Sequence, residues 1–477
     1  MRKTKMVCTM GPACDQVETL KEMIACGMNV ARINMAHGEL EDHEGRMNRV
    51  RQAAKESGVV VPILMDIKGP EIRIGKLKEA SYSLKTGDAL TLTTDEVLGD
   101  AERLPVNYNE LPKVIRPGNR ILIDDGLIEL HVENVEETEV HCRILNGGTI
   151  KPRKGVNLPG VKTTLPGVTE RDIRHIAFGV EQRVDMIAMS FVRSANDVLQ
   201  VRHLLEEHGA GHVQIISKIE NMEGVENLDA ILEASDGIMV ARGDLGVEIP
   251  VEDVPLIQKR MIERCNVAGK PVIVATHMLD SMQVNPRPTR AEASDVANSV
   301  LEGTDAIMLS GETAAGRYPV ESVRTMATIA MKAESMLASE SGGGGVAGRR
   351  TTASAGGDSV TDVISRSAVD ASRTLLAKAI LTPTETGFTA RMVSKHRPDA
   401  PIVAITADEN VLSRLALVWG VYPVLGTVRE SMDAMFRTVL DQSVKTGLVE
   451  KGDYVVITAG VPIGRTGATN LIQVQQV

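Results

Sequence analysis

Aromatic side chains are scarce in this chain of 477 residues: one Trp, five Tyr and four Phe. Reading single-stranded nucleic acid by base stacking needs more such platforms, so that role is disfavoured. Cysteine is scarce too. Cys8, Cys14, Cys26, Cys142 and Cys265 are few, odd in number and widely spaced, with no CxxC pair. A disulfide framework and a zinc site are both disfavoured, and a reducing cytoplasm is expected. There is no excess of basic charge: 53 Lys and Arg stand against 63 Asp and Glu, a net charge of −10. General attraction to nucleic acid or to an anionic membrane is therefore not expected, although a local basic pocket is still allowed. Every apolar run falls far short of the ~20 residues that span a bilayer. The start, MRKTKMVCTMGP, has neither a long apolar run nor a small-residue cleavage site, so no signal peptide is expected. No GxxxxGK[ST] loop and no GxGxxG after a strand occurs, which disfavours Walker and Rossmann nucleotide binding.

What is present is ordinary globular material, 43% hydrophobic and 24% charged. At this length it divides into two or three domains. Eight short apolar runs end abruptly in polar, charged or Gly residues and are followed by helical patterns. They are Lys5 to Thr9, Met28 to Asn34, Val60 to Asp66, Val184 to Ser190, Val213 to Lys218, Gly237 to Ala241, Pro271 to Thr276 and Asp305 to Leu309. Runs apolar at every position suit strands buried on both faces. Eight of them alternating with helices predict a (β/α)8 TIM barrel, whose chemistry sits at the C-terminal strand ends. The polar residues there include Thr9, Arg32, Asn34, Asp66, Lys68, Ser190, Lys218, Glu220, Arg242, Asp244, Thr276, Ser310 and Glu312. Any one of these can simply cap a strand; a whole set converging on one rim points to a site.

The rhythm breaks between the third and fourth runs. Short alternating segments with Gly-Asp and Asn-Gly turns predict a small inserted β-barrel over 70–166. An insert on a βα loop overhangs the active-site face, which makes a lid its natural role and surface decoration the alternative. The flanking 1–69 and 167–340 form the predicted barrel. A stretch rich in Gly, Ser, Ala and Thr over 338–358 reads as a junction. Beyond it, 341–477 reads as an open α/β domain with strands near Lys378, Pro401, Val421 and Asp453.

Two carboxylates follow neighbouring runs, Glu220 in ISKIEN and Asp244 in MVARGDLG. Hard oxygen ligands with room left for substrate suit Mg²⁺ or Mn²⁺. Ordinary ion pairs with Lys218 and Arg242 are the competing account. Lys218 itself suits either a Schiff-base lysine or a fixed cation. Arg32, Lys68, Arg73, Lys218 and Arg242 on one rim point to a multiply anionic substrate. The amides of Gly243 and Asp244 can hold a carboxylate if the turn opens a helix.

Further segments fit one pattern: TKMVCTMGP from Thr4, ARINMAHG from Ala31, MDIKGPEIR from Met65, KGVNLPG from Lys154, PRPTRAE from Pro286 and MLSGETA from Met308. With ISKIEN and MVARGDLG, they make the chain resemble pyruvate kinase almost from end to end. The resemblance implies a cytoplasmic glycolytic enzyme that moves the phosphoryl group of phosphoenolpyruvate to ADP, giving ATP and pyruvate. It implies Glu220 and Asp244 as divalent-metal ligands and Lys218 as the cation that steadies the phosphoryl group in flight. Arg32 would clamp phosphate, the Gly243 and Asp244 amides the carboxylate, and Thr276 would serve protonation of the enolate. Arg73 and Ser190 would support the substrate; Arg32, His37 and Lys154 would meet the nucleotide.

For K⁺, the resemblance implies Asn34, Asp66, the Ile67 carbonyl and a serine hydroxyl. Here Ala36 stands at the serine position, so weakened K⁺ binding is expected. His277 stands where many members have glutamine. Thr384, Thr386, Gly387 and Thr389 resemble the family's effector-phosphate loop, completed by the segment from Gly464 to Asn470, and Glu385 within the loop favours a monophosphate effector. A homotetramer is implied, and no further C-terminal domain is expected after Val477. A metal-dependent enolate lyase on the same barrel, and a non-catalytic relative, are the alternatives; the lid with Lys154 favours phosphoryl transfer, and retention of Lys218, Glu220, Asp244 and Thr276 favours catalysis.

Overall fold

The computed structural model describes residues 1–342, 359–426, 431–461 and 469–477. Eight parallel strands close a barrel: β1 (Lys5–Thr9), β2 (Val30–Asn34), β3 (Ile63–Ile67), β4 (Met186–Met189), β5 (Gln214–Ile219), β6 (Gly237–Ala241), β7 (Val272–Ala275) and β8 (Ala306–Leu309). Each falls within or at the edge of one of the eight apolar runs.

The strands are apolar throughout because both faces are buried, but the two faces do different work. Successive side chains point to opposite sides. Val7, Val30, Leu64, Ala188, Ile216, Met239, Ile273 and Met308 form one cluster, which fills the barrel. Their neighbours, such as Cys8, Ile33, Met65, Ile187, Ile215 and Val274, join a second cluster with the surrounding helices. This parity decides what reaches the mouth. Thr9, Arg32, Asp66, Ser190, Lys218 and Ser310 each come two residues after an interior apolar residue, so they share its face. Leu417 of the C-terminal domain, fully buried, joins the interior cluster as well.

The insert carries a seven-stranded mixed sheet and a separate two-stranded one. The sheet runs from Ile72–Arg73 at one edge, through Gly155–Asn157 and Arg120–Ile123, to Arg103–Pro105 at the other. Two isolated bridges, Ile74 to Val106 and Leu77 to Gly99, bring the two edges of the expected small barrel together. The insert has its own core, including Leu92, Leu104, Ile121, Leu130 and Val140.

The C-terminal domain holds a five-stranded sheet. Four parallel strands, Ala379–Pro383, Ile402–Thr406, Val421–Leu425 and Tyr454–Ala459, match expectation. A fifth, Leu471–Gln476, pairs antiparallel with Tyr454–Ala459 at the edge. The helix Pro319–Gly342 enters the stretch expected as a junction; the rest of that stretch, and 464–468 of the expected effector segment, lie outside the described residues.

The C-terminal domain meets the barrel at the N-terminal ends of its strands. Arg397 donates to both carboxylate oxygens of Asp305, at 3.0 and 3.1 Å, and stacks over Trp419. Lys5 Nζ donates to the Val421 carbonyl at 2.5 Å and lies 4.8 Å from the Tyr422 ring centre.

Candidate active site

The centre of the barrel mouth is an ion-pair network. Lys218 Nζ lies 3.3 Å from Asp66 Oδ1 and 3.0 Å from Glu220 Oε1, and donates to Ser190 Oγ at 2.6 Å. Arg32 Nε donates to Asp66 Oδ2 at 2.7 Å, and Arg32 Nη1 to Thr9 Oγ1 at 2.9 Å. Ser190 passes its own hydrogen to the Ile67 carbonyl at 2.7 Å. The strand register carries this: Ala188 lies beside Asp66 and Met239 beside Lys218.

Burial alone would lower the pKa of Lys218, but the Asp66 and Glu220 carboxylates outweigh it and hold the ammonium above the usual lysine value. A lysine held protonated is a fixed cation, whereas a Schiff-base lysine must first become neutral. Burial works to raise the pKa of Asp66; Lys218 and Arg32 prevail and hold it low.

Glu220 and Asp244 face one point. Glu220 Oε2 accepts the Phe191 N–H at 2.6 Å, which orients the carboxylate. Its Oε1 is buried against the Lys218 ammonium at 3.0 Å. Burial pushes both carboxyls upward, against the pull of the Lys218 ammonium. Two desolvated carboxylates brought to one point are a donor set that suits a divalent cation. The lysine pairing weighed from the sequence is also present, but the Arg242 pairing is not. Arg242 turns to Asp295 at 2.7 Å and to the carbonyls of Ala275 and Thr276 at 3.2 and 2.6 Å. It buttresses the loop after β7 and is not a free rim cation.

That loop carries Thr276 and His277 at φ 68° and 55°. Left-handed backbone is an outlier for a β-branched residue, and the Arg242 fork holds it there. Thr276 Oγ1 donates to the Ala275 carbonyl at 2.6 Å and accepts the Gly243 N–H at 2.8 Å. The Gly243 amide expected to hold a substrate carboxylate is thus already engaged. His277 is exposed.

The remaining rim cations are paired as well. Lys68 and Arg73 both hold Glu71, at 2.9 and 2.5 Å. Lys154, on the lid, lies 2.6 Å from Asp124. His37 is exposed in the loop after β2. Asn34 stands beside Asp66 in register, and its Oδ1 accepts the Ala36 N–H at 3.1 Å. In the C-terminal domain, Thr384 Oγ1 accepts the Gly387 N–H at 2.9 Å, and Thr389 bonds Thr469 through their hydroxyls at 3.0 Å. Gly387 has φ 78° and starts the helix Phe388–Lys395, and Thr386 is exposed.

Two supporting acids escaped the sequence. Asp295 comes from the helix Arg290–Glu302, which Thr289 and Glu292 cap reciprocally. Glu248 ends the helix Arg242–Glu248 and accepts from Asn157 of the lid at 2.8 Å.

A closed (β/α)8 barrel with a cation-and-carboxylate mouth, an inserted β domain and a separate α/β domain suits an enzyme acting on anions. Comparison with known proteins makes this specific. The family model for the pyruvate kinase barrel domain matches residues 1–323, and that for the pyruvate kinase alpha/beta domain matches 362–475. Pyruvate kinase of Geobacillus stearothermophilus is 54% identical over 475 residues, which is 99% of this chain and 80% of that protein. Pyruvate kinase of Bacillus licheniformis is 52% identical over 476 residues, at the same coverages. The chain belongs to the pyruvate kinase family. It is a phosphotransferase of glycolysis, moving the phosphoryl group of phosphoenolpyruvate to ADP. The family uses a divalent metal and K⁺. No helix among the described residues is long and apolar enough to cross a membrane.

Proposed function

We propose that Lys218 is the catalytic cation of this phosphoryl transfer and that Glu220 and Asp244 hold the divalent ion, Mg²⁺ or Mn²⁺. The observation that carries this is the placing of Lys218 Nζ, held charged between Asp66, Ser190 and Glu220. When bound, that ion supplies Lewis-acid neutralisation of phosphate and enolate charge.

The protein's part is positioning and charge. Arg32, held by Asp66 and Thr9, presents its remaining N–H groups to phosphate. Arg73 and Ser190 support the substrate. The Asp244 amide meets the carboxylate, with the Gly243 amide joining it once Thr276 releases it. Lys218 offsets charge on the phosphoryl group between leaving and attacking oxygens. Lys154, with Arg32 and His37, meets the nucleotide phosphates after parting from Asp124. Thr276 stands at the face where the enolate carbon gains its proton. A Thr hydroxyl is too weak an acid to act alone, so a water chain relays the proton through it.

Asn34, Asp66 and the Ile67 carbonyl form the K⁺ site, weakened because Ala36 offers no hydroxyl. Thr384, Thr386, Gly387 and Thr389 cradle the phosphate of a monophosphate effector at a helix start. We place the enzyme in the cytoplasm as a homotetramer.

The test is pyruvate formation from phosphoenolpyruvate with ADP and Mg²⁺, comparing the natural chain with Lys218→Met. A loss of about 10²-fold or more in kcat with a near-native KM for ADP is expected. Equal turnover by both would remove Lys218 from the reaction.

A further inference from the structure

The helix Arg242–Glu248 carries Asp244 in its first turn and ends on Glu248, four residues further along the same face. An acid at a helix C-terminus opposes the helix dipole, so Glu248 contributes nothing to its own helix. Its partner lies on the lid: its Oε1 accepts from Asn157 Nδ2 at 2.8 Å. Asn157 ends the lid strand Gly155–Asn157, which follows Lys154 directly in the chain. That strand pairs with Arg120–Ile123, which leads into Asp124, the partner of Lys154. Close by, Gly126 leaves room for Val247 of the same helix, 3.9 Å from where a Cβ would stand.

We propose that Glu248 is a positioning residue: by clasping Asn157 it ties the lid edge that carries Lys154 to the helix that carries Asp244. The nucleotide-binding lysine and the metal-binding acid are thereby held on two elements joined side chain to side chain. The inference rests on the assignment of Lys154 above. Arg32, Ser190 and Lys218, held on the barrel strands, do not depend on this clasp, so its loss falls first on nucleotide binding.

The test uses the full chain and the variants Glu248→Ala, Asn157→Ala, the double variant, Glu248→Gln and Lys154→Ala. Each single alanine variant is expected to raise KM for ADP about tenfold, the effect of losing hydrogen bonds to a charged group. KM for phosphoenolpyruvate and the ADP-independent proton exchange of the pyruvate methyl are expected to stay near native. The double variant should be no worse than the singles, and Glu248→Gln, which keeps an acceptor oxygen, should recover most of the loss. Additive effects, or equal losses in both substrates, would mean a merely structural contact and overturn the proposal. If Lys154→Ala raises KM for ADP while Glu248→Ala does not, the clasp alone falls. If Lys154→Ala changes nothing, the assignment of Lys154 falls first and the clasp with it.

Discussion

Lys218 and Arg32 share one counter-ion. Asp66 faces Lys218 with Oδ1 at 3.3 Å and Arg32 with Oδ2 at 2.7 Å, and its side chain is 3% exposed. Both cations are therefore aimed by a single buried carboxylate on β3. Asp66→Asn keeps the shape and removes the charge, leaving two buried cations short of a partner. We expect kcat/KM for phosphoenolpyruvate to fall by about 10²–10³-fold, the scale of losing a preorganised charge contact. Thermal stability should fall too. Steady-state kinetics and a melting curve check both, and near-native kcat/KM would show that the cations are aimed by something else.

Thr276 offers a separate handle on the second half of the reaction. Its hydroxyl links the Gly243 amide to the Ala275 carbonyl, and its backbone is held at φ 68°. Thr276→Val keeps the β-branch and removes only the hydroxyl. Exchange of the pyruvate methyl protons with solvent is expected to slow by about 10²-fold, with KM for ADP little changed. Thr276→Ser should retain most of the exchange. Exchange at the native rate in Thr276→Val, followed by NMR in deuterated water, would exclude the hydroxyl from the proton relay.

Lys5 makes the junction with the C-terminal domain sensitive to pH. Burial pushes its ammonium down to about 7, and Arg2 adds to this, while Glu334 and Asp305 oppose it. The unfolded chain holds that proton up to about pH 10. Between pH 7 and 10 the unfolded state therefore binds more protons than the folded one. The contribution of Lys5 to stability must rise with pH across that window, and it is unfavourable below it. Lys5→Met removes the titration. Urea midpoints at pH 7 and pH 9 should show a smaller upward, or larger downward, change in the variant than in the natural chain. An identical change in both would mean that Lys5 stays protonated through its bonds to Val421 and Tyr422.

The barrel was legible because its strands are buried on both faces, which leaves uniformly apolar runs with abrupt polar ends. Parity then carries the site: Asp66 follows Leu64, and Lys218 follows Ile216, on the inner face. The edge strand Leu471–Gln476 escaped because it alternates with glutamine, as a half-exposed strand does. Pairing across the fold escaped as well. Arg242 was counted among the rim cations, yet its partner Asp295 lies 53 residues further on. Nothing in the local pattern of Arg-Gly-Asp shows which way the guanidinium turns. Glu248 and Asn157, 91 residues apart, were invisible for the same reason.

Ala36 marks where this chain departs from the family pattern at the proposed K⁺ site, and it supports a prediction of gain. Asn34, Asp66 and Ile67 lie on neighbouring strands, with Asn34 and Asp66 in register and the Met35 N–H bonded to the Asp66 carbonyl at 3.0 Å. The strand register that sets Asn34 beside Asp66 is therefore built. What is missing is one hydroxyl, since Ala36 offers only its N–H, which goes to Asn34 at 3.1 Å. Ala36→Ser restores the ligand without disturbing that bond. A single neutral oxygen contact is worth about 1 kcal/mol, so the K⁺ concentration for half activation should fall about fivefold. The maximal rate at saturating K⁺ should change little, because the ion's other ligands are the same in both proteins. A titration of activity against KCl, with ionic strength held by a tetraalkylammonium salt, measures this. If the two curves coincide, water already fills the position of the hydroxyl; if the natural chain is fully active without any monovalent cation, Asn34, Asp66 and Ile67 are not a K⁺ site in this enzyme.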